Sequence, residues 1–383
     1  MNQRVLLDRL WAGGPGTRPQ LSKDCGLSQP TVIAALDDLE RAGLVRLSEK
    51  PVQALGRPAA AYEANASAGH VVGVDIGGAW IRILVADISG ETLASANIRN
   101  TARSAPALVT LASRVVREAT EQAGLTSTQI THTVIGSPGV LDANVGRVRY
   151  AANLPGWHRP GLAQALTDEI GASLTIDNDA NLAAIGEQTY GAALGVDDFV
   201  YLHIGTGIGL GVGIDGHIYR GATGAAGEVG YLPIGDGAAR NRSGRSPGRG
   251  MMEEVLAAAA VVRYAKAAGM EGRLTAQRVF AAAREDDRAA RAAVGEIAKR
   301  LAQLLASICA FLDPELIVVG GGIGHNLDLL APETNAALRD LTPMQPKLVA
   351  GALGVAAVSR GAVSRGISIA REEVFVTREE RVG

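Results

Sequence analysis

Three polar residues, Asp177, Asn178 and Asp179, open the segment DNDANLAAIGE, which follows an apolar β-type run and leads into a helical pattern. A carboxylate at a strand-to-helix junction of an α/β chain faces the crevice where ligands bind. Within reach of a substrate hydroxyl, Asp179 could take its proton during phosphoryl transfer. The same position suits a helix N-cap, and the residues alone leave both roles open. A second acid, Glu228, lies among small residues in GATGAAGEVGYLPI. Small neighbours permit close approach, and a carboxylate can accept hydrogen bonds from vicinal sugar hydroxyls; the alternative is an ordinary turn. NLPGW at 153–157 offers the Asn153 amide and the Trp157 indole to the same kind of ligand, with the same alternative.

Glycine turns accompany these acids. In VVGVDIGGAWIRILVAD (71–87), two β-branched runs flank Asp75-Ile76-Gly77-Gly78. Such a turn lets backbone approach a phosphate. The next position, where a hydroxyl would reach that phosphate, is Ala79. VYLHIGTGIGLGVGID (200–215) repeats the strand–glycine turn–strand pattern. Each hairpin opens one half of the large region, which suggests a duplicated nucleotide-clamping fold with a cleft between halves. Neither GTGIGLGVG nor GGGIG (320–324) is a dinucleotide fingerprint. After Gly205, Gly207 and Gly209 the alternation of Leu and Val with Gly reads as a strand, and the spacing after Gly320 is wrong. No GxxxxGK[ST] run exists.

The elements that must position these groups alternate along the chain. Strands are predicted at 71–76, 81–87, 92–98, 130–136 and 173–177, then at 198–204, 211–215 and 315–319. Helical patterns fall between them. In the longest, near 290–312, Val294, Ile297, Leu301, Leu304, Ile308 and Phe311 form one stripe that predicts a core helix.

Residues 1–65 read as a separate small domain. Leu6 and Leu10 mark a first helix, Gln20 to Cys25 a second, and LSQPTVIAALDDLERAGLV a third. In the third, Ser28 is a good N-cap, Pro30 is tolerated in the first turn, and Val32, Leu36 and Leu39 share a buried face. LVRLS and AAAYEA flank the loop EKPVQALGRP. This is a winged helix-turn-helix pattern, with Ser28, Gln29 and Thr31 where base-reading side chains belong and Arg57 at the wing tip, suited to a minor groove. A generic three-helix cap with a hairpin is the alternative. Residues 66–70 read as a linker.

The 383 residues suit two or three domains, and the formal net charge of −2 gives no global attraction to nucleic acid or membrane. Two cysteines, Cys25 and Cys309, are too few for a disulfide framework, and neither a signal-peptide core nor an 18-residue apolar run is present. A cytoplasmic protein is expected, with no membrane contact.

Taken in order, DIGG at 75–78, SPG at 137–139, NLPGW, DNDAN, GTGIG at 205–209, GAAGEVG at 224–230 and VVGGG at 318–322 make this chain similar to the ROK family of repressors, open reading frames and kinases. The similarity covers nearly the whole chain, and the winged helix resembles the family's repressor branch. The resemblance implies an α/β protein in which the winged helix precedes a two-lobed, actin-like sugar-kinase domain. The lobes would span 71–187 and 188–383, the C-terminal segment packing back on the first. It implies a catalytic base at Asp179 and sugar contacts at Asn153, Asn178, Asp179, Glu228 and Glu253. It places Gly77, Gly78, Thr206, Gly207, Gly321 and Gly322 on the nucleotide side. Three positions depart from the family. Ala79 replaces a threonine, and Tyr231 replaces a histidine. In the zinc segment, Gly244, Ser246 and Met251 replace the thiolates. No tetrahedral zinc site is therefore expected. Arg240, Arg242, Arg245 and Arg249 there would bind an anionic effector or form a solvated mobile loop.

The expected function is a DNA-binding repressor, dimeric or tetrameric, that holds double-stranded operator DNA and responds to a sugar or sugar phosphate in a degenerate kinase cleft without a resident cofactor. The second reading is an ATP- and magnesium-dependent sugar kinase with a DNA-binding appendage. The third is a regulator whose cleft binds nothing.

Overall fold

The computed structural model describes residues 1–49, 60–142, 147–149, 154, 157, 160–171, 173–233 and 250–379. Asn153, the wing with Arg57, and the arginine-bearing segment containing Gly244 and Ser246 lie outside the described residues.

The N-terminal unit packs α1 (Asn2–Gly13), α2 (Arg18–Cys25) and α3 (Gln29–Arg41) around Leu6, Leu10, Leu21, Val32, Leu36 and Leu39, all buried. Thr17 and Gln20 form a capping box that starts α2 two residues ahead of its expected position. Strands β1 (Gly16–Thr17), β2 (Val45–Leu47) and β3 (Ala61–Ala64) make a small antiparallel sheet with β3 central. The two-residue β1 carries too short a pattern to be read from sequence. Residues 66–70 form a single 3-10 turn, Ala66–Ala68, before the next strand begins at His70.

The first lobe is a five-stranded sheet of β4 (His70–Ile76), β5 (Trp80–Asp87), β6 (Thr92–Arg99), β7 (Ile130–Ser137) and, after the small hairpin β8 (Val140–Asp142) and β9 (Arg147–Arg149), β10 (Ser173–Asn178). Its order is β10-β7-β4-β5-β6. The strands β10, β7 and β4 run parallel, while β5 and β6 fold back antiparallel. Helices α4 (Ala105–Gln122) and α5 (Leu162–Ile170) cover one face through Leu108, Ala112, Val116 and Leu166.

Helix α6 (Asp179–Tyr190) leads into the second lobe, and the boundary drawn at 187/188 falls inside it. That boundary followed the end of a motif, whereas the helix runs on to Gly191. The second sheet has the order β13-β12-β11-β14-β15, from β11 (Phe199–Ile204), β12 (Ile208–Ile214), β13 (His217–Ile218), β14 (Leu316–Gly320) and β15 (Lys347–Ala350). One face is covered by α7 (Met251–Leu256), α8 (Ala258–Ala267), α9 (Ala276–Arg284), α10 (Arg288–Leu312) and α12 (Leu327–Leu341), with the one-turn α11 (Gly321–Gly324) following β14. The stripe on α10 is buried from Val294 to Ile308, but Phe311 is 83% exposed. At the last turn the apolar ridge continues i to i+4 from Ile308 to Leu312, which packs on the core, and Phe311 turns outward.

The last helix, α13 (Ala357–Glu379), returns to the first lobe. Together α6 and α13 lie between the sheets. Leu182 and Ala362 pack with Val134 of the first sheet, and Ala183, Ala184 and Ala357 with Phe199 and Tyr201 of the second. Small residues permit this. A Cβ at Gly361 would overlap the Leu182 carbonyl oxygen, and one at Gly211 would overlap that of Ala180. The alternating glycines after Thr206 thus serve strand–helix packing, and β12 begins at Ile208, three residues ahead of the expected start.

Candidate functional site

The functional groups lie at the C-terminal ends of parallel strands, as open α/β sheets dictate. Asp75 on β4 and Asp177 on β10 both pair with Gly136 on the intervening β7, so the three strand ends are level. One residue further on, Asn178 caps α6. Its Oδ1 accepts the N–H groups of Ala180 (2.9 Å) and Asn181 (3.1 Å), and its Nδ2 donates to the Gly139 carbonyl at 3.0 Å. The cap is therefore Asn178, and Asp179 is the first helical residue. Asp179 Oδ1 accepts the Ala180 N–H at 2.8 Å, and burial holds its carboxyl at about 6, within working range of a general base at neutral pH.

Two more acids share this environment. Asp75 is held by Arg82 at 3.0 Å, yet burial, with the Asp179 charge adding to it, lifts its carboxyl to about 6. Glu228 rises to about 7, through burial first and then the charges of Asp179 and Glu253. Glu228 precedes a 3-10 turn, Val229–Tyr231, which packs against β12 and α7; Glu253 lies on α7. Asp179 of the first lobe and Glu228 and Glu253 of the second thus form one acidic cluster, suited to accepting hydrogen bonds from a polyol. Tyr231 stands on its rim, 43% exposed.

Sequence reasoning missed two contributors. His203, near the end of β11, is half-buried, and desolvation lowers its pKa while the nearby Asp75 opposes the shift. Its signal was a lone histidine one residue before the end of a strand that leads into a glycine turn. Arg220, after β13, bridges the lobes through an ion pair with Asp177 at 2.7 Å; nothing local marks it.

The glycine turns lie at strand ends. At the β4–β5 hairpin the Gly77 N–H donates to the Trp80 carbonyl at 2.9 Å, while Asn100 holds the Gly77 carbonyl at 2.8 Å and the Ala79 carbonyl at 3.0 Å. Neither Gly77 nor Gly78 has a positive φ, so the turn does not need glycine for its backbone. A Cβ at Gly77 would come within 3.3 Å of the Trp80 carbonyl oxygen. Thr206 and Gly207 cap the β11–β12 hairpin, and Gly321 and Gly322 follow β14, which runs parallel to and beside β11. Trp157 is no ligand group. It is fully buried in the first lobe's core, its indole N–H donating to Ser137 Oγ.

Zinc does not fit here. Where the resemblance implies a histidine and a thiolate stand the phenol of Tyr231 and the thioether of Met251, neither a good zinc ligand. The two cysteines are elsewhere, Cys25 in α2 and Cys309 buried on α10.

In the N-terminal unit, Ser28 caps α3 by accepting the Thr31 N–H at 3.3 Å, and the two hydroxyls bond each other at 2.8 Å. Gln29 is exposed beside them.

Two lobes clamping a helix pair, with acids and glycine turns at the facing strand ends, define a sugar-kinase-type, actin-like domain, here joined to a winged helix-turn-helix. The chain belongs to the ROK family, whose sequence profile matches residues 71–365. A xylose repressor from Caldicellulosiruptor bescii is 27% identical over 84% of this chain and 82% of its own length. A glucokinase from Halalkalibacterium halodurans is 31% identical over 68% of this chain and 82% of its own. Among solved structures, a ROK family transcriptional regulator, homologue of the E. coli MLC protein, superimposes with TM-score 0.81 over 99% of this chain and 98% of its own at 20% identity, showing the same fold including the N-terminal unit. A ROK family glucokinase from Streptomyces griseus in complex with glucose and AMPPNP superimposes with TM-score 0.66 at 28% identity, covering 78% of this chain and 99% of its own. Among the described residues no helix is long and apolar enough to cross a membrane.

Proposed function

We propose that this chain is a transcriptional repressor whose grip on an operator is set by a sugar bound in the cleft. One observation carries the reading: packed elements run without a break from the cleft to the DNA-binding helix. Asp179 is the first residue of α6, α6 crosses α13 at Gly361, and Arg378 near the end of α13 donates to the carbonyls of Ala42 and Gly43 that close α3. A sugar that tilts α6 therefore acts on α3 through one helix. It shifts the equilibrium only by its differential affinity for the two arrangements.

Gln29 supplies base contacts in this reading, with Ser28 and Thr31 forming the helix start and Arg57 serving the adjacent minor groove. Asp179, Glu228 and Glu253 take sugar hydroxyls, helped by Asn153, by the remaining Asn178 N–H and by Tyr231 at the rim. Gly77, Gly78, Thr206, Gly207, Gly321 and Gly322 are a remnant nucleotide side. Two copies of the chain grip the operator, in the cytoplasm and without a resident metal. Relatives named xylose repressor and glucokinase favour an aldose or its phosphate as effector.

The test is fluorescence anisotropy with a duplex selected from a random pool, titrated with D-xylose, D-glucose, other aldoses and their phosphates. At least one should change duplex affinity tenfold or more and raise the unfolding midpoint. Failure to select any duplex, or a duplex affinity indifferent to every sugar, refutes the reading. The second reading, a kinase, is favoured by an Asp179 that does not serve as the cap, and is tested by turnover in the Discussion.

A further inference from the structure

The outward face of α3 carries a feature that the helix itself does not need. Its inward face is complete, since Val32, Ala35, Leu36 and Leu39 fill the core of the N-terminal unit. On the outward face Gln29, Pro30, Ile33, Ala34 and Asp37 are exposed. Ile33 is 39% exposed, one turn beyond Gln29 and on the same side. From Gln29 to Glu40 the helix contains no Lys or Arg. This stretch therefore carries no cation to pair with a phosphate, and the exposed groups of its first two turns are one amide and three apolar groups.

A single exposed isoleucine is ordinary on a protein surface. Its place on the helix that enters the groove makes it informative, because whatever lies against Gln29 lies against Ile33 as well. In the major groove the base edges offer polar groups at every pair and a single apolar group, the thymine C5-methyl. Resting on the DNA-binding half of the proposed function, we infer that Ile33 reads thymine: its side chain packs on a thymine methyl one helical turn from an adenine held by the Gln29 amide. The operator half-site accordingly contains an A·T pair at Gln29 and a thymine that Ile33 covers. Pro30 and Ala34 flank Ile33 and keep water from the contact, and Asp37, further along, disfavours any closer approach of phosphate.

The test removes the methyl from each side of the contact. Duplexes are selected from a random pool by the full-length protein, and each thymine is then replaced singly by deoxyuridine, which lacks only that methyl. With wild type, one thymine of the half-site should lose about fourfold in affinity, the worth of one buried methyl. Ile33→Ala should lose at least as much on the thymine duplex and become indifferent to deoxyuridine at that position, with Ile33→Val intermediate. Gln29→Ala, in contrast, should keep the deoxyuridine penalty while losing discrimination at the adenine. Because Ile33 is exposed, Ile33→Ala should unfold at the wild-type midpoint. The inference fails if Ile33→Ala keeps the full deoxyuridine penalty, or if no thymine responds in wild type. It fails equally if Ile33→Ala changes oligomeric state while duplex affinity stands unchanged, which would mark a protein contact. If no duplex is enriched at all, the repressor reading falls and this inference with it.

Discussion

Arg378, near the end of the chain, donates to the carbonyl of Gly43 at 3.1 Å, and so closes the C-terminal end of a helix some 335 positions earlier in sequence. The same guanidinium reaches the Ala42 carbonyl at 3.2 Å and the Ala68 carbonyl at 2.6 Å. A positive charge at a helix C-terminus is favourable in itself. Here it also ties the end of α3 to α13, the helix behind the cleft.

Arg378→Ala should therefore weaken operator binding severalfold and, more tellingly, abolish its response to sugar. The sugar-induced thermal shift should persist, because the cleft lies at the other end of α13. Anisotropy with and without sugar, beside thermal unfolding, separates the two. A mutant that still releases DNA on sugar binding would show that the signal takes another route.

Gly361→Ala tests the other end of the connection. A Cβ there overlaps a backbone carbonyl, which has no rotamer by which to yield, so α6 and α13 must part. Overpacking of this kind costs about 1–3 kcal/mol or more. A drop in urea midpoint of that size, together with a lost sugar response, is expected; full stability and a normal response would refute the close crossing.

Much of this architecture was legible in the sequence, for physical reasons that also explain the failures. The β4–β5 and β11–β12 hairpins show because apolar β-branched runs broken by glycine have few other readings. The core stripe of α10 shows through its period, and misleads at Phe311 because periodicity cannot tell where a helix outruns its core. The Asp179 ambiguity was real, since Asn and Asp cap equally well, and it took coordinates to give the cap to Asn178. An indole in a turn looks available to a ligand, and the burial of Trp157 against Ser137, which favours the plain structural alternative, is a tertiary fact. Arg220 and Asp177, 43 positions apart, meet only through the fold.

The acids predict a pH dependence. Glu228 stands at about 7 and Asp75 and Asp179 at about 6, all above their ordinary values. A carboxyl raised by folding binds its proton more tightly folded than unfolded. The stability it supplies is thus fully present below about pH 4 and is lost as pH rises through 6 to 7. The sugar-free protein should have a lower unfolding midpoint at pH 8 than at pH 5. Glu228→Gln removes one ionisation, so it should match wild type at pH 5 and exceed it at pH 8 by an amount of the order of 1–3 kcal/mol, while losing the sugar-induced shift. A difference from wild type that does not vary with pH would refute this assignment.

Metal analysis gives an independent test. The donors at Tyr231 and Met251 are a phenol and a thioether, and Gly244 and Ser246 bring no thiolate. Purified protein should hold far less than one zinc per chain, and a chelator should leave its unfolding midpoint and duplex affinity unchanged. About one zinc per chain, removed by chelator with loss of stability, would overturn the expectation.

The last prediction concerns phosphoryl transfer, which depends on positioning and charge stabilisation more than on covalent chemistry. Asp179 is half-buried and its carboxyl stands at about 6, but a base is useful only against a well-placed hydroxyl and phosphate. The β4–β5 hairpin keeps its shape through Asn100, yet Ala79 presents no hydroxyl to a phosphate above it. A lost hydrogen bond to a charged group costs about 1.5–3 kcal/mol, roughly ten- to a hundredfold in rate if it acts in the transition state. Because Ala79 is exposed and its carbonyl is held from the far side, Ala79→Thr can add the hydroxyl without moving the backbone. ATP consumption with the best-binding sugar should be far below about one turnover per second in wild type, absent in Asp179→Ala, and raised about tenfold or more in Ala79→Thr. Wild-type turnover at or above about one per second, abolished in Asp179→Ala, would make the chain a working kinase, and an Ala79→Thr rate no higher than wild type would mean that the missing hydroxyl is not what limits it.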